Sequence, residues 1–236
     1  MKSTLRYRSL IPVYSILLVS VLLISVLFSR LTTVITVNAP ITQKKTVIID
    51  AGHGGVDGGA ISCTGVPESQ INLDIALKLN DLMQLLGINT IMIRETDISV
   101  YTRGETIAQK KISDLKERVR IVNSTPNAVL ISIHQNHFTD GRYSGAQVFY
   151  TQTEGSQQLA EALQDSFIKA INPTSHRRTK KADGVYLMQH VQCPAALIEC
   201  GFLSNKQEEY LLRNKPYQQK ICSVIACCVS RYLFST

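Results

Sequence analysis

Residues 47–59 read VIIDAGHGGVDGG. The stretch begins with apolar, β-branched residues, which are typical of a buried strand. The strand runs directly into a loop that holds five glycines and one histidine, His53. Loops of this composition form phosphate cradles or metal sites, because glycine lets the backbone turn sharply and approach a ligand closely. Residues elsewhere in the sequence distinguish between a phosphate-binding loop and a metal site.

Strand and helix patterns alternate beyond this stretch. Apolar residues at helical spacing occur, for example, in INLDIALKLNDLMQLLG, residues 71–87. Strands are predicted at TVIID, NTIMIR, AVLISI, GAQVFYT, GVYLMQ and AALIEC, and a last helix is predicted over residues 216–233. This alternation predicts an α/β fold class, with one domain over residues 46–236 and a largely parallel sheet flanked by helices. Ligands of such sheets bind beyond the carboxyl ends of the strands.

An uncharged stretch of 18 residues, IPVYSILLVSVLLISVLF, occupies residues 11–28. As a helix it would rise about 27 Å, which is close to the hydrocarbon thickness of a bilayer. Basic residues precede it, which predicts a cytoplasmic N-terminus and an exported remainder. We expect residues 1–30 to form a cytoplasmic stub and a transmembrane anchor or signal helix, and residues 31–45 to form a tether. A cleaved signal peptide is the alternative to the anchor.

The positive charge of the chain is concentrated before the domain. Residues 1–45 hold six basic and no acidic residues, whereas residues 46–236 hold 19 basic and 18 acidic ones. A domain that binds nucleic acid is expected to carry the basic excess itself. The charge distribution therefore excludes nucleic acid as the partner of this domain.

A phosphate-binding loop does not fit the glycine-rich stretch. A Walker loop ends with Gly-Lys-Ser/Thr, and no lysine occurs between Lys45 and Lys78. A dinucleotide fingerprint would begin at Gly52, but Asp57 occupies the place of its last glycine. We therefore interpret the glycine-rich loop as part of a metal site.

Several side chains support a metal site. His53 follows the first predicted strand, His134 follows the third, and Glu68 lies just before the first helix. Two histidines and one glutamate, with one position left open, form a common ligand set of catalytic zinc. Glu199 lies within the apolar run AALIECGF, where an unpaired carboxylate is costly. We interpret Glu199 either as an ion-pair partner or as a general base beside the metal.

Four segments in order, DAGHGGVDGGA, ESQIN, SIHQN and IECGFLSN, carry a family resemblance. They closely resemble the zinc-dependent N-acetylmuramoyl-L-alanine amidases (the amidase-3 family), especially its sporulation and germination members. The resemblance implies a six-stranded, mostly parallel sheet and one Zn²⁺ bound by His53, Glu68 and His134. It further implies that Glu199 is catalytic and that Asn136 lines the substrate site.

The resemblance also implies a substrate and a setting. The substrate would be the amide between N-acetylmuramic acid and L-alanine, where a stem peptide joins the glycan strand of peptidoglycan. The reaction would contribute to muramic-δ-lactam in the spore cortex. The catalytic domain would lie outside the cytoplasm, for instance in the forespore intermembrane space, and a lipoprotein activator is a possible partner because some relatives depend on one.

Two other functions stay open, namely a catalytically inactive wall-binding scaffold and a zinc carboxypeptidase-type peptidoglycan peptidase. Cys63 and Cys200 lie near the predicted site, but a complete zinc set makes a cysteine nucleophile unnecessary. His137 is expected to face solvent rather than crowd the substrate. The basic loop HRRTKK, residues 176–181, is expected to be solvated, with stem-peptide carboxylates as its alternative partner. Arg94 is expected to anchor the structure through a nearby acid.

Overall fold

The structure is a computed structural model that describes residues 11–32 and 45–234, with side chains described for residues 14–26 and 45–234. The chain divides into two units, Met1–Thr42 and Gln43–Thr236. The described part of the first unit is helix α1, Ile11–Thr32. Among the described residues, no helix combines the length and the apolar character that crossing a membrane requires. Residues 1–10, which hold the predicted cytoplasmic stub, and residues 33–44 of the predicted tether (residues 31–45) lie outside the described residues, whereas residues 31 and 32 belong to α1.

A six-stranded sheet forms the centre of the second unit, in the order β2-β1-β3-β6-β4-β5. The strands are β1 (Thr46–Ala51), β2 (Asn89–Met92), β3 (Ala128–Asn136), β4 (Gln147–Tyr150), β5 (Lys180–Lys181) and β6 (Ala195–Phe202). The helices are α2 (Glu68–Leu85), α3 (Ile107–Ser124), α4 (Ser156–Ala170), α5 (Tyr186–His190), α6 (Lys206–Leu212) and α7 (Lys215–Phe234). Neighbouring strands are parallel except that β4 runs antiparallel to β6. The predicted α/β class with a six-stranded, mostly parallel sheet is confirmed.

Apolar runs in the central strands are buried on both faces of the sheet. In β1, Val47 and Ile49 belong to the larger core cluster, whereas Ile48 belongs to the smaller one. The larger cluster lies between the sheet and helices α2, α4 and α7, and the smaller one lies on the face covered by α3 and α5. Parallel sheets that are covered on both sides require such continuous apolar strands, because successive side chains point to opposite faces.

The strand register brings the carboxyl ends of three strands together. Ala51 of β1 pairs with Ile133 of β3, and Ile133 pairs with Ile198 of β6. Residues that directly follow these positions therefore meet at one edge of the sheet, which is where the predicted site residues lie.

One local prediction is wrong, and one helix is missed. The segment predicted as strand GVYLMQ contains helix α5 instead. Its Leu187 and Met188 are both buried in the smaller core cluster, although a strand would point two adjacent side chains to opposite faces. The sheet edge is filled by β5, which pairs with β4. The sequence patterns also predict no separate helix at α6, which begins after Asn205 because that side chain accepts hydrogen bonds from the first turn.

Candidate active site

Three potential metal ligands converge beyond β1 and near the end of β3. His53 follows β1, Glu68 is the first residue of α2, and His134 lies in β3. One donor atom from each residue lies within 4.8 Å of the donor atoms of the other two. Glu68 is buried, whereas both imidazoles are partly exposed. The structure thus brings together all three residues predicted as Zn²⁺ ligands, and an ion held there would be reachable from solvent.

Two glycines leave the space that these side chains occupy. A Cβ atom at Gly52 would lie 2.1 Å from Nε2 of His134. A Cβ atom at Gly59 would lie 2.7 Å from both Oε2 of Glu68 and Cδ2 of His53. Gly59 also has φ of 69°, a backbone conformation that favours glycine. The loop is rich in glycine because the imidazoles and the carboxylate pack directly against its backbone.

Hydrogen bonds orient the three side chains. Nδ1 of His134 lies 2.9 Å from Oε1 of Glu68, and Nε2 of His53 lies 3.3 Å from Oε2 of the same carboxylate. The other ring nitrogen of His53, Nδ1, lies 2.9 Å from Oδ2 of Asp57. Oδ1 of Asp57 lies 2.7 Å from Nζ of Lys111 on α3. A carboxylate in this place fixes the tautomer and the orientation of a metal-binding imidazole.

The electrostatics of the cluster favour positive charge. Burial alone would raise the pKa of Glu68, but hydrogen bonds to His134 and His53 hold that pKa far below its ordinary value. Burial alone would lower the pKa of His53, yet the hydrogen bonds and charges of Glu68 and Asp57 raise it to about 9. The imidazoles cause the net effect at Glu68, whereas the carboxylates of Glu68 and Asp57 cause it at His53. A divalent cation would be stabilised by these carboxylates.

Arg94 ties the His53 loop to the start of α2. Its Nε donates to the carbonyl oxygen of Ala51 at 2.8 Å. Its Nη2 donates to the carbonyl oxygens of Gly52 at 3.1 Å and Ser69 at 2.8 Å. Because Ser69 adjoins Glu68, one guanidinium fixes two ligand-bearing segments relative to each other. The expectation that Arg94 anchors the structure is confirmed, but its hydrogen bonds in the described residues go to carbonyl oxygens and not to an acid.

Arg118 of α3 holds the same loop from a second direction. Its Nη2 donates to the carbonyl oxygen of His53 at 2.7 Å, and its Nη1 forms an ion pair with Asp50 of β1. Its Nε donates to Asp114 at 2.6 Å. Asp50 in turn accepts a hydrogen bond from the hydroxyl of Ser132 at 2.6 Å. This buried network fixes the backbone under the ligands, since each of its charges has a partner.

Glu199 lies beside the ligands on the neighbouring strand. It pairs with His134 in the register of β3 and β6. Its Oε2 is shielded from solvent and has no hydrogen-bond partner among the described residues. Burial raises the pKa of this carboxyl to about 7, with His134 opposing the rise and Glu68 adding to it. Such an acid is suited to accept a proton from a water molecule at the ligand cluster.

The other residues that the sequence singled out lie close by. Asn136 ends β3, and its carbonyl oxygen accepts a hydrogen bond from the N–H of Leu203 at 2.7 Å. Its contact with substrate stays a prediction. His137 is exposed, as expected. Cys63 is exposed and free, whereas Cys200 is buried, and burial raises the pKa of its thiol well above the ordinary value. Cys200 is therefore an uncharged thiol at neutral pH and not a nucleophile.

A cavity of about 310 Å³ opens beside the cluster on the side of α3 and α5. Its wall includes both imidazoles together with Lys111 of α3 and Tyr186 of α5. This volume lies at the small end of the range for ligand-binding cavities. A small part of a polymer, such as one or two residues, would fill it.

Residues 47–231 match the family model described as N-acetylmuramoyl-L-alanine amidase, Amidase_3. The chain belongs to this amidase family. The germination-specific N-acetylmuramoyl-L-alanine amidase of Bacillus subtilis (strain 168) is 37% identical over 190 residues, which cover 80% of this chain and 79% of that protein.

Solved structures agree with this assignment. The CwlD amidase from Clostridioides difficile, determined in complex with the GerS lipoprotein, has a TM-score of 0.78 and 38% identity, covering 82% of this chain and 100% of that chain. An N-acetylmuramoyl-L-alanine amidase from Clostridium difficile 630 has a TM-score of 0.69 and 32% identity, covering 82% and 98% of the two chains.

The donor set of this amidase fits zinc. Two imidazoles and one buried carboxylate, together with a fourth position that can stay open, are the ligands that catalytic zinc uses. The buried Oε2 of Glu199 adds a polar atom that requires a partner from outside the described residues. The residues present therefore match the metal that the sequence predicts.

Sequence reasoning missed two supporting residues of the amidase site. Asp57 was considered only because it breaks a nucleotide fingerprint, although its spacing four residues after His53 was a usable signal. Arg118 gave no signal, since a basic residue on an amphipathic helix usually lies in solvent. The motif ESQIN has a structural reason as well, because Asn72 donates a hydrogen bond to Glu68 at 3.1 Å.

Proposed function

We propose that this amidase hydrolyses the amide between N-acetylmuramic acid and L-alanine in peptidoglycan, with one Zn²⁺ held by His53, Glu68 and His134 and with Glu199 as general base. The observation that carries the proposal is the buried, unpartnered Oε2 of Glu199 next to the ligand cluster. A buried polar atom without a partner is rare, and it marks a place where a water molecule or a substrate group is expected.

Each residue would have a distinct task. When bound, zinc would supply a Lewis acid that polarises the amide carbonyl and acidifies water. Glu199 would accept a proton from the attacking water and pass it to the departing nitrogen of L-alanine, which suits a carboxyl whose pKa is about 7. Asp57 would keep the ring of His53 in place through Nδ1. Asn136 would contact the substrate at the rim.

Two substitutions test these roles. Glu199→Gln keeps the volume of the side chain but removes the base, so we expect zinc binding to persist while hydrolysis falls by a factor on the order of 10²–10⁴. His134→Ala is expected to lose both zinc and hydrolysis. Zinc content and digestion of purified muropeptides measure the two properties separately. Full activity of the Glu199→Gln variant would remove Glu199 from its proposed role.

The products distinguish the amidase reaction from its alternatives. Mass spectrometry of a digest should show an intact stem peptide with a free L-alanine amino group and a glycan without that peptide. A carboxypeptidase-type enzyme would instead release an amino acid from the carboxyl end of the stem peptide. An inactive scaffold would bind peptidoglycan and release nothing, even with zinc present.

We further propose a role in spore cortex maturation, where the reaction would contribute to muramic-δ-lactam. Support comes from the name of the Bacillus subtilis relative, which is germination-specific. The CwlD–GerS complex supports a lipoprotein partner for this chain, and we propose that such a partner acts as an activator. Muropeptide profiles of spores that lack the protein should contain no muramic-δ-lactam, and a normal lactam content would exclude this role.

The substrate implies an exported enzyme, and we propose that the catalytic domain, residues 46–236, acts outside the cytoplasm, in the forespore intermembrane space. Residues 1–30 would direct export as an anchor or as a signal segment, and residues 31–45 would act as a tether. Cell fractionation with N-terminal sequencing tests this point. An anchored form would stay with membranes at full length, a cleaved form would begin beyond the apolar stretch, and a cytoplasmic full-length protein would contradict the proposal.

A further inference from the structure

An aromatic cluster lies at the end of β6 and on the loop between β3 and β4. Phe138 and Tyr143 of that loop meet edge to face, with ring centroids 4.9 Å apart. Tyr143 also stacks on Phe202 of β6 at 6.2 Å. The guanidinium of Arg177 lies 4.8 Å from the ring centroid of Phe202. We call these four residues the aromatic platform.

The outer part of the platform is exposed but held in place. Phe202 is buried, whereas Phe138 is 50% exposed and Tyr143 is 47% exposed. The N–H of Phe138 donates to the hydroxyl of Ser204 at 3.2 Å, and the amide of Asn205 donates to the carbonyl oxygen of Tyr143 at 3.3 Å. Because the loop is fixed to the residues that follow β6, the two rings can bind a ligand without a large loss of their own conformational freedom.

The inner part of the platform fixes the loop from the other side. Nε of Arg177 donates to the carbonyl oxygen of Ser144 at 3.0 Å. The N–H of Gly145 donates to Oε1 of Glu208 at 2.8 Å, and Oε2 of that carboxylate accepts from the N–H of Phe202. Arg177, one of the two arginines of the basic segment 176–181, is thus part of the scaffold of the platform.

The platform lies a few residues beyond the candidate active site along the chain, both after β3 and at the end of β6. Phe138 follows His134 by four residues, and Phe202 follows Glu199 by three. Four residues of extended chain span at most about 14 Å. A short oligosaccharide whose reacting sugar lies at the ligand cluster would therefore reach the exposed rings.

We infer that the aromatic platform binds the glycan strand next to the muramic acid residue whose amide is cleaved. The inference rests on the proposed function, which places a sugar at the site because the scissile bond is attached to N-acetylmuramic acid. Sugar rings combine apolar C–H faces with polar edges. Flat aromatic rings bordered by the polar pair Asp140 and Arg142 match both properties.

The size of the exposed surface favours a sugar over a protein. A stable protein interface buries roughly 800 Å² on each partner. Two half-exposed rings in an otherwise polar loop supply only a small part of such an area. They are sufficient to cover the faces of one or two sugar rings, and every ring that is covered adds to the affinity for a long strand.

Binding is best measured in the hydrolysis-deficient Glu199→Gln protein with soluble, peptide-free glycan oligomers as the probe. Adding Phe138→Leu and Tyr143→Leu retains apolar bulk but removes both aromatic faces. We expect the dissociation constant to rise about tenfold. Phe234→Leu is the matched control, because Phe234 is 81% exposed and ends α7, and it should leave binding unchanged.

A kinetic experiment in the wild-type background separates this inference from the proposed function. The leucine variants should raise KM for long glycan strands and leave cleavage of a single muramoyl peptide unchanged. Unchanged glycan binding in the leucine variants, with a native melting temperature, would overturn the platform inference, and a protein partner would then be the better occupant. Platform-dependent glycan binding by a zinc-loaded protein that cleaves no muropeptide would support the platform and refute the proposed function.

Discussion

Gly52→Ala is a sharp test of how the site is built. A Cβ atom at Gly52 would lie 2.1 Å from Nε2 of His134, whereas ordinary contact begins at 3.4 Å. The imidazole would have to retreat by 3.4 − 2.1 = 1.3 Å. Metal–ligand distances tolerate only about 0.2 Å. The substitution should therefore displace one proposed zinc ligand, His134, while it leaves the chemistry of every proposed ligand intact.

The fold itself should tolerate this change. Gly52 does not have a positive φ, so alanine is compatible with its backbone. We expect the variant to fold and to bind zinc at least about 100-fold more weakly than the wild type, with activity lost in parallel. Chelator competition measures the zinc affinity, thermal unfolding without metal measures the fold, and muropeptide digestion measures the activity.

Gly58→Ala is the matched control from the same loop. Its Cβ atom would make an ordinary contact of 3.5 Å with Pro67 and approach no ligand. This variant should bind zinc as the wild type does. If Gly52→Ala bound zinc as tightly as Gly58→Ala, the packing of His134 against the loop backbone would not control metal binding, and the reasoning would fail.

Three further substitutions test the supporting network. Asp57→Ala should weaken zinc binding by about 10–100-fold, because it frees the ring of His53, and unchanged affinity in chelator competition would contradict this. Arg94→Lys should lower the free energy of unfolding by about 1–3 kcal/mol in urea titration, because an ammonium cannot hold all of its carbonyl partners, and an unchanged urea midpoint would contradict this. Asp50→Asn should lower the free energy of unfolding by about 3 kcal/mol at pH 7, because it leaves Arg118 without one of its buried partners. Burial alone would raise the pKa of Asp50, but Arg118 lowers it, so this stabilisation is present at neutral pH. The difference in free energy of unfolding between the variant and the wild type should therefore shrink below about pH 4. A difference that is independent of pH would contradict this.

The sequence was sufficient to predict the α/β layers of the fold and the candidate site residues at the carboxyl edge of the sheet. Apolar runs such as VIID predicted buried parallel strands, and residues that follow such strands meet because of the sheet geometry. His53, His134 and Glu199 were found in this way, without knowledge of any distance. Their proximity in the structure follows from the register of β1, β3 and β6. Glu68 was found instead from the ligand pattern of catalytic zinc and from the family resemblance.

The sequence was insufficient where tertiary context overrides local pattern. The segment with Leu187 and Met188 resembles a strand by composition, but both side chains have to enter one core cluster, and only a helical turn allows this. Arg118 resembles a solvent-exposed residue, and its burial depends on Asp50 and on carbonyl groups far away in the sequence. Such long-range partners leave no periodic signal along the chain.

The four residues of the proposed centre lie in the loop after β1, in α2, in β3 and in β6. None of the earlier elements can complete the centre alone, since the acid arrives only with β6. With Glu199 as the proposed base, a nascent polypeptide would be inert toward the wall until β6 has been synthesised and added to the sheet. The order of the strands along the chain would thus by itself delay hydrolytic competence until β6 has joined the sheet.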